Sequence, residues 1–333
     1  MRRVRVAAVC LVPALVAAGC TAGRATPARL ASAALTPPSI GTSPSPAPRR
    51  PGRADPRIAA AGDIACDVGD AAYNDGAGDP AACRMRATAD LLRRLNPSWV
   101  LPLGDLQYQS GAIHQFETSY GASWGTMRAR TRPVPGNHEY GVPGAEGYFE
   151  YFGAIAGARG KGWYSYDVGR WHLIALNANC GAIGGCGVGS PEERWLRADL
   201  AKHSAARCTL AYWHQPRWSS GLHGDDPAYD AFWRALYRAG ADVVLNGHDH
   251  DYERFAPQSP AGVADAPRGI REFVVGTGGE SHYPIKAPAL TSEFRLPFTY
   301  GVLALTLHAT SYDWEFAPVD SRPVRDSGTA SCH

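Results

Sequence analysis

The sequence predicts a mixed α/β fold, with sheets inside and helices outside, and three observations carry that reading. From Arg57 onward, short apolar runs alternate with stretches of helical period. Five of the runs, at residues 58–63, 99–105, 132–137, 210–214 and 243–248, break off abruptly at a polar side chain. Late in the chain, runs of β character follow one another closely enough to pair as hairpins. No internal repeat and no second domain is evident in residues 57–333.

In chain order, residues 57–63 read as a strand ending in Gly62-Asp63. Residues 67–80 are acidic and Gly-rich but lack the alternating donors of a calcium loop, so they read as a solvated connection. Met85, Ala89, Leu92 and Leu95 recur at helical spacing until Asn96-Pro97 stops the helix. A second strand, 99–105, follows and completes a β-α-β unit. Residues 113–120 predict a short helix, 132–137 a strand, and 141–161 a Gly- and aromatic-rich excursion without clear period. Strands at 163–168 and 171–176 turn at Gly169-Arg170. After the Gly-rich loop 180–189, Ser190-Pro191-Glu192-Glu193 is a capping box that starts a helix through Trp195, Leu196 and Leu200. A strand at 208–213 precedes a helix capped by Asp226, with Tyr229, Phe232, Trp233, Leu236 and Tyr237 on its apolar side and Gly240 at its end. Residues 243–245 then lead to His248 and His250, and strands at 272–276, 300–307 and 312–316 close the pattern.

The formal charge is +2, and Arg49 to Arg53 is the one basic block beyond the N-terminus. No nucleic-acid partner is expected. Basic residues 1–5 and an apolar stretch 6–18, too short to span a bilayer, lead to Ala17-Ala18-Gly19-Cys20. Residues 1–20 therefore read as a signal peptide whose end resembles a bacterial lipobox, with Ala17 where Leu or Val is usual. Export follows, either as a cell-surface lipoprotein held by an N-terminal lipid anchor or as a secreted protein. Residues 21–56, rich in Pro, Ala, Ser and Thr, read as a disordered tether, leaving 57–333 as the folded domain. Setting aside Cys10 and Cys20, six cysteines remain without a Cys-x-x-Cys spacing, which in an exported chain favours disulfides. Six allow fifteen connectivities. The expected one pairs Cys66 with Cys83 and Cys180 with Cys186, each across a Gly-rich loop, and leaves Cys208 for Cys332.

The polar residues at the strand ends share one chemistry. Asp63, Asp105, Tyr108, Asn137, His214, His248 and His250 offer oxygen and nitrogen but no sulfur, a set suited to iron, zinc or manganese. His248 and His250 are two apart, so an extended backbone would project both rings to one side, toward ions about 3.5–4 Å apart. Asp105, on a mid-chain strand tip, is the natural bridging carboxylate. One such residue alone would be an ordinary turn or a satisfied side chain; the whole ordered series is specific.

The series Gly-Asp63, Gly-Asp105-x-x-Tyr108, Gly-Asn137-His138-Glu139, His214 and Gly-His248-x-His250-x-Tyr252-Glu253-Arg254 resembles the calcineurin-like metallophosphoesterase superfamily, and within it the purple acid phosphatases. The likeness covers residues 57–316. It implies a four-layer α/β/β/α sandwich with two mixed sheets and two metal ions. Asp63, Asp105, Tyr108 and His250 would hold the first ion, and Asp105, Asn137, His214 and His248 the second. Most of the superfamily has His two residues after the first Asp, where this chain has Ala65, so Tyr108 supplies the missing donor. Three anionic donors round one ion and neutral donors round the other fit Fe(III) beside a divalent Zn, Fe or Mn. Ala65 and Ala211 replace a Gly and a Val usual in the family; both changes concern packing rather than donors.

The reaction expected is hydrolysis of a phosphorylated small molecule, a phosphomonoester, by direct attack of metal-bound hydroxide, since no Ser, Cys or His nucleophile motif is present. His138 and His223 resemble the family's substrate-binding histidines and are the candidates to protonate the leaving group. Tyr252, Glu253 and Arg254 would buttress the histidine loop. Two other readings compete: a phosphodiesterase or nucleotidase using the same ions, and a catalytically silent phosphate-binding surface lipoprotein.

Overall fold

A computed structural model describes residues 55–320 and 325–333. The expected signal peptide, and the tether up to residue 54, lie outside the described residues.

Period-two alternation sorts the strands between two cores. In β5 (Cys208–Tyr212), Cys208, Leu210 and Tyr212 join one cluster, while Ala211 and the following Trp213 join the other. β4 (Trp171–Ala175) divides likewise, Leu173 to the first side and Ile174 to the second. A strand buried on both faces must lie between layers. The first cluster fills the space between two sheets and continues over the outer face of the smaller one, since residues 58–61 all belong to it; the second lies between the larger sheet and helices α5 (Pro191–Lys202) and α6 (Asp230–Arg238).

The smaller sheet orders its strands β12-β11-β10-β1-β2 and the larger β3-β4-β5-β6-β8-β7-β9. In the first, β1 (Arg57–Ala61) runs parallel to β2 (Trp99–Pro102) and antiparallel to β10 (Gly301–Leu307), which pairs with β11 (Ser311–Pro318) and then β12 (Ser327–Ser331). In the second, β4, β5, β6 (Val243–Asn246) and β8 (Arg271–Val275) are parallel; β3 (Tyr164–Val168) and β7 (Tyr252–Phe255) add antiparallel, and β9 (Ser292–Leu296) closes the edge. Helix α1 (Met85–Leu95) lays Met85, Ala89 and Leu92 into the first cluster. The result is the α/β/β/α sandwich of two mixed sheets.

Several local expectations need correction. Residues 132–137 are no strand: Pro133 and Pro135 lack the N–H a ladder needs, and only isolated bridges, Val100 to Thr131 and Leu103 to Val134, touch that segment. The excursion 141–161 contains a helix, α3 (Glu146–Phe152), whose Tyr148, Phe149 and Phe152 are buried. The helix expected at 113–120 is one turn, α2 (Ile113–Gln115), continued as a π-turn, and the loop 180–189 holds another short turn, α4 (Cys180–Ile183). Ser190 caps α5 by accepting from Glu193 N, but Glu193 Oε2 accepts from Gly189 N rather than closing the box. Strands β7, β9 and β12 were not expected at all. The three disulfides are Cys66–Cys83, Cys180–Cys186 and Cys208–Cys332, the expected pairing.

Candidate metal centre

Parallel strands deliver their C-terminal ends to one side of the sandwich, and the turns that follow β1, β2, β5 and β6 carry Asp63, Asp105, His214 and His248. Asp63, Asp105 and His248 all adopt positive φ, at 60°, 46° and 71°. Left-handed backbone at three non-glycine positions in one site is strain that the surrounding structure must hold in place. It also corrects the expectation for the last histidines: residues 247–251 bend rather than extend. Asp63, Asp105, Asn137 and His248 each follow a glycine that is needed for close approach. A Cβ on Gly104 would meet the His214 ring at 2.5 Å, and one on Gly136 would meet Asp105 Oδ1 at 2.1 Å.

Six of the seven expected donors face one another. Tyr108 Oη lies 3.0 Å from Asp63 Oδ1, 3.3 Å from Asp105 Oδ2 and 3.1 Å from His250 Nε2. His250 Nε2 is 3.2 Å from Asp63 Oδ1, and His214 Nε2 is 3.0 Å from Asp105 Oδ2. His248 Nδ1 stands 3.3 Å from His214 Nε2. Asn137 sits apart at the exposed rim, where its amide oxygen accepts from Gln215 Nε2 at 3.4 Å. Its neighbours do reach the cluster: His138 N donates to Asp105 Oδ1 at 2.8 Å.

Electrostatics favour cations here. Burial, then the charges of Asp63 and Asp105, push the Tyr108 phenol well above its ordinary pKa, so a nearby cation is what would release its proton. Burial lowers His248 to about 3, aided by His214 and His223, which keeps its ring neutral and able to ligate. Burial alone would lower His214 too, but Asp105 raises it to about 9. Burial would raise Asp105, yet His214 and His138 hold it below the usual carboxylate range. His214 Nδ1 donates to the Leu103 carbonyl at 2.8 Å, so Nε2 is the nitrogen that faces Asp105, where a cation would replace its proton. Donors bonded to one ion at about 2.1 Å lie about 3.0–3.4 Å apart, the spacing found here, so the residues fit such a group.

A family model for calcineurin-like phosphoesterases matches residues 56–252, more than half of the chain. The chain belongs to that family. An uncharacterised Mycobacterium tuberculosis protein is 29% identical over 57% of the chain and 44% of its own length. Purple acid phosphatase 15 of Arabidopsis thaliana is 27% identical over 50% of the chain and 38% of its own length. The chain thus spans less than half the length of these curated relatives. Among solved structures, the purple acid phosphatase of yellow lupin seeds superposes with a TM-score of 0.67 at 19% identity, covering 83% of this chain and 53% of that one. At that identity the likeness speaks for the fold.

Around this calcineurin-like centre lie both expected residues, His138, His223, Glu139 and Glu253, and others that sequence reasoning did not single out, Asp249, Ser219, Glu280, Ser281 and Tyr283. Asp249, between the two histidines, is fully buried and accepts from His223 N at 2.9 Å and His223 Nδ1 at 2.8 Å, while its other oxygen takes the Ser219 hydroxyl. The His223 ring stacks on His248 with centroids 4.0 Å apart. His138 donates Nδ1–H to the Gln109 carbonyl at 2.7 Å, and its Nε2 is 3.9 Å from Asp105 Oδ2. Glu139, also buried, gathers Gly136 N, Leu106 N and Gln107 N, tying the Asp105 turn to the Asn137 turn. Ser281 Oγ and Glu280 Oε2 approach His250 Nδ1 at 3.0 and 3.4 Å, and Tyr283 stacks on the same ring. Glu253, expected as a buttress, accepts from Ser220 N at 2.8 Å and so anchors the loop that bears His223. Asp226 caps its helix by accepting from Ala228 N. These partners are scattered among ordinary polar residues, and only the fold shows which of them converge.

Proposed function

We propose that residues 57–333 form a phosphoesterase domain that hydrolyses phosphomonoesters of small molecules with a pair of metal ions, in the manner of a purple acid phosphatase. The observation that carries this reading is the Tyr108 phenol oxygen, set between Asp63, Asp105 and His250 at 3.0–3.3 Å. Asp63, Asp105, Tyr108 and His250 would hold Fe(III). Asp105, Asn137, His214 and His248 would hold a divalent Zn, Fe or Mn, with Asp105 shared. Asn137 completes the second set by turning its amide away from Gln215. Bound, the pair supplies an activated water and neutralises phosphoryl charge for an in-line displacement.

The protein's own groups do the rest. His138 and His223 flank the donors and would bind phosphate oxygens and protonate the leaving alkoxide, each with one ring nitrogen already committed, to Gln109 O and to Asp249. Asp249 keeps the His223 ring oriented, and Glu139 keeps the two donor turns in register. Three disulfides are compatible with an exported protein, and the proposed location is the cell surface or the exterior.

The test is a visible spectrum of the purified protein together with metal analysis. A tyrosinate-to-iron charge-transfer band is expected, and Tyr108→Phe should abolish it. A colourless zinc or manganese protein with full activity would defeat the purple assignment. Parallel assays on a monoester and a diester should show the monoester preferred; a diester preference would replace this substrate class.

A further inference from the structure

Far from the centre, at the opposite ends of β4 and β5, a second set of donors meets. His172 pairs across the hairpin with Asp167 and sits level with Thr209 on β5. Thr209 and His214 are five residue steps apart along and just beyond β5, roughly 15 Å. Asp199 on the last turn of α5 and His203, which caps its C-terminal end, face the same spot.

We propose that Asp167, His172 and His203 form a separate, structural site for one zinc-class divalent cation, with Asp199 orienting both histidines. One donor atom from each of the three lies within 4.8 Å of the others. His172 is 1% exposed, and its Nε2 meets Asp199 Oδ2 at 2.8 Å. Asp199 is itself fixed by the Ser165 hydroxyl at 2.8 Å. A histidine whose one nitrogen donates to a buried carboxylate presents the other as a metal ligand, the arrangement that commonly backs zinc-bound histidines. That other nitrogen, Nδ1, points at Asp167 Oδ1 only 2.8 Å away. At that distance a proton lies between the two atoms in the metal-free protein; an ion held by both at about 2.1 Å would sit off the line joining them and would spread the pair to about 3 Å or more.

The third donor is prepared in the same way. His203 Nδ1 donates to the Asp199 backbone carbonyl at 2.9 Å, so its Nε2 carries the free lone pair. Its ring stacks on His172 with centroids 3.9 Å apart, and coordination requires it to tilt off that stack. At 24% side-chain exposure it has room to do so. Beside the cluster opens a cavity of about 510 Å³, lined by His172, His203, Arg170 and Arg207, which admits water to complete the coordination. Nitrogen and carboxylate donors without sulfur suit zinc. Arg170, Arg207 and Lys202 oppose a cation, but all three are exposed and screened by solvent. An ion here would fasten the β3–β4 hairpin to α5.

The experiment counts zinc per chain on the intact protein after equilibration with micromolar zinc and removal of the excess. Wild type, Asp167→Asn and His203→Ala are compared, all three being first confirmed folded by circular dichroism. Both substituted side chains are partly exposed and lie outside the phosphoesterase centre, so the ions of that centre count equally in all three. One zinc more per chain in wild type than in either variant supports the site. Equal zinc in all three overturns it and leaves the cluster held by a proton. With cobalt in place of zinc, a visible band present in wild type and missing from both variants is expected; identical spectra count against the site.

Discussion

On the proposed function, the buried carboxylate of Asp249 would serve the reaction without touching the substrate. Its Oδ1 holds His223 by both backbone and ring, and its Oδ2 is occupied by Ser219, so the imidazole has a single rotamer and its Nε2 faces outward beside His248. If His223 protonates the leaving group, the value of that alignment depends on how much the leaving group needs a proton. Asp249→Asn should therefore lower kcat by roughly ten- to a hundredfold on an alkyl phosphate and far less on 4-nitrophenyl phosphate, with metal content unchanged. Equal losses on both substrates would assign Asp249 a purely structural role. Asp249 was not legible beforehand because an acid between two histidines has no periodicity and no motif of its own. The six candidate donors that the structure brings together could be picked out for the opposite reason: they follow strand ends closely, and together they form one chemistry. Asn137 marks the limit of that reading, since the pattern includes it while its amide lies at the rim against Gln215.

At the scale of elements, pattern was reliable where one force dominated. The amphipathic helices α1, α5 and α6 and the fully buried β4, β5 and β6 lie close to their expected positions because burial on defined faces fixes them. Residues 132–137 misled because they end in Gly136-Asn137 as the true strands end in Gly-Asp or Gly-His, while Pro133 and Pro135 cannot donate to a ladder. Strands β9 and β12 are edge strands of mixed polarity, and they exist by virtue of their neighbours rather than any pattern of their own. β12 is held twice: it pairs with β11, and Cys332 just beyond it is bonded to Cys208 at the start of β5 in the other sheet. That bond closes a loop 124 residues apart in sequence, so its loss frees much chain entropy in the unfolded state. Cys208→Ala with Cys332→Ala should cost about 2–5 kcal/mol, measured by denaturant unfolding, with hydrogen exchange fastest at β12. A change below ~1 kcal/mol would mean that the β11–β12 ladder holds the tail unaided.

For the whole molecule, the consequence lies in where the donors come from. Asp63 and Asp105 follow strands of the smaller sheet, whereas His214 and His248 follow strands of the larger one. The two-sheet sandwich itself was not readable from alternation, because β1 inserts between β2 and the distant β10; only the family resemblance implied it. On the proposed assignment the ions cross-link the two sheets at one end, where the first hydrophobic cluster gives way to charge. Without them, Asp63, Asp105 and the Tyr108 oxygen would remain crowded and desolvated, a cost that the packing below must carry. Chelation should therefore destabilise the fold globally. At a free-ion concentration 1,000 times Kd each ion contributes about 4 kcal/mol, and its loss should lower Tm by roughly 10 °C in a domain of this size. Amide exchange should quicken first in the turns after β1, β2, β5 and β6, and later in α5 and α6, which pack on the second cluster. Asp105→Asn, which removes the shared carboxylate, should abolish most of the response to chelator. If the protein, stripped of metal and verified so by analysis, melts where the loaded protein does, the cations do not bridge the sheets, and the strain at Asp63, Asp105 and His248 is sustained by packing alone.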